Sequence, residues 1–293
     1  MIRHYIYAGL DFLYDKKGRY YFIEANSAPG VHGRVNVLKK ISMYMKKQGK
    51  ELCVMTSLKF RKHKGYPKLW VYNTMKEFIP NLRLCYEERN IGRKKTLIDS
   101  KKKVFSPDCI FKNEGKVPVY FEDKIPVINS RSVTAVTKNK IKTYEAVLKH
   151  IPNLRVPKTF VINNESEARA VMNKNPLVFQ NGFVIKPIDG ALGRGVRVYD
   201  SPDVRFEVSH RMILQQRIIP KLIHGCYWDL RVHLLDGKTI GGIIRQSKKN
   251  ITNTARGGTA SPAPSKLLKT VTTISERIVD AIEKETRRMH ANS

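Results

Sequence analysis

The feature that most constrains the fold is a lysine beside a glycine-rich turn, within FVIKPIDGALGRGVRVYD at residues 183–200. The apolar runs predict two β-strands, with Lys186 at the end of the first and Gly190, Gly193 and Gly195 in the turn. Such glycines let backbone N–H groups approach phosphate oxygens, and the lysine adds a positive charge. The spacing fits neither a P-loop nor a Rossmann fingerprint. Taken alone, a glycine-rich hairpin is only a hairpin in most proteins.

Further cationic side chains lie on strands predicted on either side of this hairpin. Asp229 and Arg231 are two residues apart in CYWDLRVHLL and so share one face of a strand. Arg245 lies near the end of the next strand, after a turn at DGK. Upstream, a lysine-bearing helix leads into a strand marked by prolines. Cations at strand ends beside a glycine-rich loop suit a triphosphate site, although either arginine could instead pair with Asp229 or a surface carboxylate.

A second hairpin is predicted near the start of the sequence, where GLDFLYD and RYYFIEAN flank a turn at DKKG. Gly18 can supply positive φ in that turn. We expect Asp11 to pair opposite Phe22, and we expect Asp11, Glu24 and Asn26 to share one face. Two carboxylates and an amide oxygen are hard ligands of the kind that Mg²⁺ prefers. The alternative is the solvent-facing polar side of an edge hairpin.

The segment between the two hairpins predicts a helix and then a small α/β unit. Apolar residues at helical spacing predict a helix that ends at Gly49; they are Val35, Leu38, Ile41 and Met45. ELCVMTS and LRLCYEE read as strands, and PKLWVYNTMKEFIP reads as a helix from Pro67 to before Pro80. Alternating strands and helices over residues 49–125 predict a doubly wound sheet.

Charge and cysteine content limit the protein class. Lys and Arg number 55 and Asp and Glu 25, so the formal net charge is +30. This charge suits phosphates, nucleic acid or acidic proteins, but the lysines are dispersed, and solvated faces of a basic protein explain them equally well. No apolar run has transmembrane length, and the first residues do not resemble a signal peptide. The four cysteines form no C-x-x-C pair, so we expect reduced thiols in a cytoplasmic protein with no membrane contact.

Together these motifs resemble the ATP-grasp superfamily, from about residue 126 to the end of the sequence and over residues 1–30. By position, Lys140 and Lys186 resemble its two nucleotide-binding lysines, and residues 190–195 resemble its phosphate lid. The adenine hinge corresponds to LQQRI, with Gln215, Gln216 and Ile218, although a glutamate is usual at Gln216.

The remaining motifs resemble two branches of the family. Four positions look most like the ribosomal-protein glutamate ligases, namely Asp229, Arg231, Arg245 and the Asn253 that precedes Gly257 and Gly258. Asp11, Glu24 and Asn26 resemble the magnesium ligands of D-alanine–D-alanine ligase. The resemblance assigns Asp229 and Asn253 to nucleotide binding and Arg231 and Arg245 to catalysis.

The resemblance implies an α/β fold in which two α+β lobes clamp ATP beside a small pre-ATP-grasp domain. In the family the acidic hairpin comes last, whereas here it comes first, which predicts a circularly permuted order. The expected domains are residues 1–48 (displaced hairpin and helix), 49–125 (pre-ATP-grasp) and 126–293 (ATP-grasp lobes). The alternative is that the hairpin completes a different ATP-grasp unit, supplied by another chain or truncated.

The implied activity is an ATP- and Mg²⁺-dependent carboxylate–amine ligation through an acyl phosphate. Two Mg²⁺ ions are expected, with Mn²⁺ as a substitute, and the substrates are small-molecule or peptide carboxylates and amines of acidic character. Homo-oligomerisation stays open. Two alternatives are a kinase of a phosphorylated small molecule and a basic nucleic-acid-binding protein with a degenerate nucleotide site.

Overall fold

The computed structural model describes residues 2–28, 30–31, 34–59, 67, 69–190, 194–250, 252 and 257–291. The strands are β1 (Tyr7–Tyr14), β2 (Tyr20–Asn26), β3 (Leu52–Thr56), β4 (Arg83–Tyr86), β5 (Leu97–Ile98), β6 (Val104–Phe105), β7 (Cys109–Lys112), β8 (Val127–Ile128), β9 (Thr159–Ile162), β10 (Phe183–Pro187), β11 (Arg197–Tyr199), β12 (Met212–Gln216), β13 (Tyr227–Leu235), β14 (Lys238–Ser247) and β15 (Thr259–Pro262). The helices are α1 (Val35–Lys46), α2 (Trp70–Phe78), α3 (Val119–Glu122), α4 (Arg131–Lys138), α5 (Lys140–His150), α6 (Glu165–Lys174), α7 (Pro176–Phe179) and α8 (Ser265–Ala291).

The largest sheet is antiparallel and five-stranded, in the order β15-β14-β13-β1-β2. The hairpin at the start of the chain therefore pairs with β13, which lies more than 200 residues away in sequence. Helices α4, α5 and α8 contact one another beside this sheet. Apolar side chains on one face of the central strands, such as Leu10, Phe12, Leu230 and Val232, are fully buried with apolar residues of α8. The opposite face of the same strands is left for polar residues.

The register of the β1–β2 hairpin differs from the predicted one. Phe12 pairs with Phe22, and Asp11 pairs with Glu24, so Ile23 is an extra residue that forms a β-bulge. The predicted pairing of Asp11 with Phe22 was therefore wrong by two residues: the turn pairs Tyr14 with Tyr20, which shifts the register by one residue, and the bulge at Ile23 adds the second. The carbonyl of Ile23 accepts a hydrogen bond of 2.6 Å from the Tyr144 hydroxyl. Gly18 has φ +74°, as the predicted turn requires.

A four-stranded antiparallel sheet, in the order β11-β10-β12-β9, carries the lysine and glycine-rich segment. Its apolar core includes Ile162, Phe183, Ile185 and Leu214, together with residues of α6 and α7. The two strands predicted around the glycine-rich turn are present as β10 and β11. Residues 191–193 of that turn lie outside the described residues.

The predicted doubly wound unit is a parallel sheet in the order β4-β3-β7-β8, accompanied by the β5–β6 ribbon. Helices α1 and α2 pack together, and three of the four predicted apolar positions of α1 are fully buried. Val35 is instead 44% exposed, because it is the first residue of the helix and has no preceding helical turn beside it. Helix α2 begins at Trp70 rather than at Pro67, because Leu69 has φ +66° and cannot continue a helix toward Pro67.

The two ends of the described chain contact each other. Arg3 forms an ion pair of 2.6 Å with Asp280, and the Glu283 carboxylate accepts a bond of 2.7 Å from the backbone N–H of Tyr5. The four cysteines are free thiols, three buried and one half-buried, as predicted. No described helix combines the length and apolarity that crossing a bilayer demands. The α/β class predicted from the sequence is confirmed.

Candidate functional site

The candidate site lies on the polar face of the five-stranded sheet. Glu24, Asp11 and Arg231 stand side by side on β2, β1 and β13, because the register pairs Asp11 with both neighbours. Asp229 lies two residues before Arg231 on β13 and pairs with Arg245 on β14. These side chains alternate with the buried apolar residues of the same strands, so the period of two places them all on one face.

Two arginines and two aspartates form a continuous ionic network at the centre of this face. Arg231 donates to both carboxylate oxygens of Asp11, from Nε at 2.6 Å and from Nη2 at 2.7 Å. Arg245 binds Asp229 with the same geometry and distances. Its Nη2 also lies 3.0 Å from Asp11 Oδ2, which joins the two pairs. The alternative reading of Arg245 as a partner of Asp229 is therefore confirmed in this structure.

The network sets the protonation of its two carboxyl groups in different ways. Burial raises the pKa of Asp11, but Arg231 and Arg245 outweigh this and hold that pKa at about 2. Burial also raises the pKa of Asp229, where Arg245 opposes the rise and the Asp11 charge adds to it. The Thr252 hydroxyl donates a short hydrogen bond to Asp229 Oδ2. Asp11 is thus a carboxylate at any physiological pH.

Glu24 and Asn26 complete the predicted metal-ligand set. The Asn26 amide nitrogen lies 3.5 Å from Asp11 Oδ2, and Glu24 sits directly opposite Asp11. Among the described residues, no three side chains of the His, Cys, Asp and Glu types form a metal cluster. The predicted set instead combines two carboxylates with one amide, whose oxygen would be the ligand. This all-oxygen chemistry fits Mg²⁺, which takes one or two carboxylates and completes its shell with water and phosphate. Asp11 is the least available of the three ligands, because both of its carboxylate oxygens already accept hydrogen bonds from arginine.

Two lysines from different parts of the chain converge on Glu24. Lys140 begins α5, and its Nζ lies 3.6 Å from Glu24 Oε1 and donates to the Gly190 carbonyl at 3.2 Å. Lys186 on β10 is 4% exposed, and its Nζ lies 5.9 Å from the centre of the Tyr144 ring. Burial lowers the pKa of Lys186 to about 8, although the Glu24 charge acts in the opposite direction.

The predicted hinge residues lie at the end of β12. The Gln215 amide nitrogen donates to the Tyr144 hydroxyl at 3.1 Å and to Thr159 Oγ1 at 2.8 Å, so both of its N–H groups are occupied by the protein. Gln216 exchanges hydrogen bonds with the backbone of Lys158. Ile218 follows the strand and is half-buried.

The glycines near the site have definite steric roles where the structure describes them. Gly195 has φ +71°, and a Cβ there would lie 2.9 Å from Pro187 Cγ. A Cβ on Gly258 would lie 2.4 Å from the carbonyl oxygen of Thr252. Gly190 has open space around it apart from Pro187. Two further predicted site residues, Gly193 and Asn253, lie outside the described residues.

Three polar residues that were not predicted lie at one end of the same face. His233 follows Arg231 by two positions on β13, and its Nδ1 lies 2.9 Å from the Tyr7 hydroxyl. Arg34, just before α1, donates from Nη1 to His233 Nε2 at 2.7 Å. The period of two could have indicated His233, whereas no pattern in the sequence links Arg34 to β13.

Comparisons with known proteins match this architecture. A family model described as sugar-transfer associated ATP-grasp matches residues 122–222. The chain is 28% identical over 174 residues to the alpha-aminoadipate–LysW ligase LysX of Saccharolobus solfataricus, covering 56% of this chain and 61% of that protein. It is 27% identical over 161 residues to the coenzyme gamma-F420-2:alpha-L-glutamate ligase of Methanococcus maripaludis, covering 52% of each chain. The chain thus spans little more than half the length of these curated relatives.

A solved structure shares the fold across the whole chain. A putative gamma-glutamylcysteine synthetase from Methylobacillus flagellatus superposes with a TM-score of 0.59, covering 100% of this chain and 91% of that one. The sequence identity is 11%, so this similarity concerns the fold alone.

Proposed function

We propose, from the confirmed resemblance of this chain to ATP-grasp proteins, that it is an ATP- and Mg²⁺-dependent ligase that joins a carboxylate to an amine. The observation that carries the proposal is the convergence of Lys140 and Lys186 on Glu24, beside the Asp11–Arg231 pair. Two lysines and a carboxylate lie near one another although they come from three separate segments. Both curated relatives carry ligase names, which agrees with this activity.

In the proposed reaction a substrate carboxylate attacks the γ-phosphorus of ATP, and ADP leaves with the electrons of the broken P–O bond. The product is an acyl phosphate. The amine then attacks the acyl carbon and loses a proton, and inorganic phosphate departs, so that an amide forms. The protein contributes positioning and charge neutralisation rather than a covalent intermediate of its own.

The nucleotide would be held by Lys140 at the start of α5 and by residues in and beside the four-stranded antiparallel sheet. Lys140 and Lys186 would bind its phosphates, and Gly190 and Gly195 would let the backbone approach them. The half-buried stretch after Gln216, including Ile218, would receive the adenine. Ordering of the phosphates by lysines and backbone donors would bring the γ-phosphorus to Asp11 and Glu24.

Asp11, Glu24 and Asn26 would hold the metal ions, which supply charge neutralisation for the phosphates. The arginines keep Asp11 ionised, so the carboxylate is ready to bind a cation without losing a proton. Arg231 and Arg245 use Nε and Nη2 in the ionic network, and Nη1 of each has no hydrogen-bond partner among the described residues. Those N–H groups would contact the transferring phosphoryl group and the tetrahedral oxyanion.

The proposal includes a circularly permuted order, in which the hairpin at the start of the chain completes this site in cis. Three observations support it: β1 pairs with β13, Tyr144 donates to the bulge carbonyl of Ile23, and Arg3 pairs with Asp280 of α8. Permutation is tolerated where the new termini lie close together at the surface.

The test uses hydroxylamine as a surrogate amine, because it traps an acyl phosphate as a hydroxamate whatever the natural amine is. The protein is incubated with Mg-ATP and panels of amino acids, acidic peptides and phosphorylated polyols. We expect hydroxamate and phosphate to form in equal amounts with an acidic amino acid or peptide. Phosphorylation of a polyol without hydroxamate would instead identify a kinase. Absence of any ATP turnover across the panels would refute the ligase assignment for these substrate classes.

A further inference from the structure

Arg34 is a cation at the site that has no counter-ion among the described residues. It makes no ion pair within 4.0 Å there, whereas Arg231, Arg245 and Lys140 each contact a carboxylate. Its side-chain hydrogen-bond partner is His233, a neutral acceptor. A half-buried guanidinium loses solvation that this single hydrogen bond does not replace. Arg34 is therefore available to pair with an anion from outside the described residues.

The His233 ring fixes the direction of Arg34 without neutralising it. A guanidinium can only donate, so His233 Nε2 accepts, and Nδ1 must carry the proton and donate to the Tyr7 hydroxyl. Burial lowers the pKa of His233 far below its usual range, and the charge of Arg34 acts in the same direction. The rings of His233 and Tyr7 also stack, with centres 5.9 Å apart. The imidazole is thus a rigid, uncharged support.

The position of Arg34 places it on the opposite side of the reacting centre from the nucleotide lysines. Lys140 contacts Glu24 on β2, and Lys186 is near enough for the Glu24 charge to act on it, whereas Arg34 contacts His233 on β13, two strands away. That separation is about 10 Å across the sheet, and His233 lies a further ~7 Å along the strands from the row of Glu24. Arg231 lies between the two positions. A molecule that reaches from Arg231 to Arg34 therefore extends away from ATP, where the acceptor acid must enter.

We infer that Arg34, oriented by His233, binds a second carboxylate of a dicarboxylic acid substrate while the first carboxylate is activated at Arg231. The inference rests on the proposed ligase function and adds the substrate class. Arg34 would contact the substrate and select for it, whereas His233 acts through Arg34 as a positioning residue.

The experiment compares Arg34→Met with wild type, using L-glutamate and L-2-aminoadipate against L-glutamine as the uncharged probe. Hydroxamate formation gives KM for each acid and for ATP. A second measurement, the shift in thermal midpoint on adding the acid with Mg-ADP, needs no turnover. Arg34→Lys keeps the positive charge but changes the geometry of the N–H donors. It tests the same contact independently of whether Arg34→Met folds. Arg89→Met is the matched control, because Arg89 lies over the Tyr86 ring in the parallel-sheet unit.

Loss of a charge-assisted contact should raise KM for the dicarboxylate roughly 10- to 100-fold in Arg34→Met, with KM for ATP unchanged. The thermal shift caused by the dicarboxylate should shrink in parallel, Arg34→Lys should be intermediate, and Arg89→Met should match wild type. His233→Phe keeps a ring beside Tyr7 but removes the acceptor, and should raise the same KM without lowering kcat.

The two proposals fail in distinguishable ways. A thermal shift that depends on Arg34 but comes without any hydroxamate would refute the ligase activity and keep the anion site. Hydroxamate formation in which Arg34→Met and wild type show the same KM and the same thermal shift would overturn the role of Arg34 and keep the ligase. No shift with either dicarboxylate in wild type would also overturn it.

Discussion

Replacing the buried Lys186 with methionine should stabilise the unliganded protein. At neutral pH the protein keeps an ammonium group at a site that is 4% exposed, and burial lowers its pKa from 10.5 to about 8. The interval between these values corresponds to about 3 kcal/mol of free energy of unfolding. Lys186→Met has a similar shape and no charge, so we expect it to gain up to about 3 kcal/mol at pH 7.

The stability that Lys186→Met gains should decrease as the pH rises. The pKa of Lys186 is lower in the folded state, so between pH 8 and 10.5 the unfolded chain binds more protons. The stability of wild type therefore rises with pH across this window, and below pH 8 the full cost of the buried charge is present. The advantage of Lys186→Met should accordingly be largest below pH 8 and shrink toward zero near pH 10.5.

The assay is urea denaturation of wild type and Lys186→Met from pH 7 to pH 10, with the exposed Lys142→Met as the matched control. Nucleotide affinity should move the other way, since loss of one charge-assisted phosphate contact weakens ATP binding about 10- to 100-fold. Equal stability of wild type and Lys186→Met at pH 7, or a difference that does not change with pH, would refute the reasoning.

Three further substitutions test the acidic and glycine positions. Glu24→Gln should lower the rate of phosphate release by about 10²–10³-fold while the thermal midpoint stays close to that of wild type, and an unchanged rate would show that Glu24 is not a metal ligand. Asp229→Asn removes one partner of a buried ion pair and should cost about 3–5 kcal/mol in urea denaturation, so a loss below 1 kcal/mol would contradict the network. Gly258→Ala places a Cβ 2.4 Å from the Thr252 carbonyl and should cost about 1–3 kcal/mol. The control Gly30→Ala meets no atom within 4 Å, and equal stability losses for the two glycine variants would argue against the steric account.

Much of the site was predictable because strand alternation is a local property. The period of two placed Asp229 and Arg231 on one face, and the turn at DGK placed Arg245 on the next strand of the hairpin. The pairing of Arg245 with Asp229 also depends on an extra residue, Ile240, in β14, which the hydrophobic pattern did not reveal. The same argument grouped Asp11, Glu24 and Asn26, although the register on which it relied was wrong. A β-bulge adds one residue without leaving a clear mark in the hydrophobic pattern, so the sequence could not reveal that Asp11 pairs with Glu24.

The sequence by itself determined the elements and the kinds of side chain that a nucleotide site requires, because hydrophobic periodicity and turn chemistry act over a few residues. Only the tertiary structure decided which of these elements meet. The pairing of β1 with β13, the convergence of Lys140 and Lys186 on Glu24, and the contact of Arg34 with His233 all join residues far apart in the chain. Such contacts form when separate segments bury their apolar faces together, and no local pattern specifies the partner.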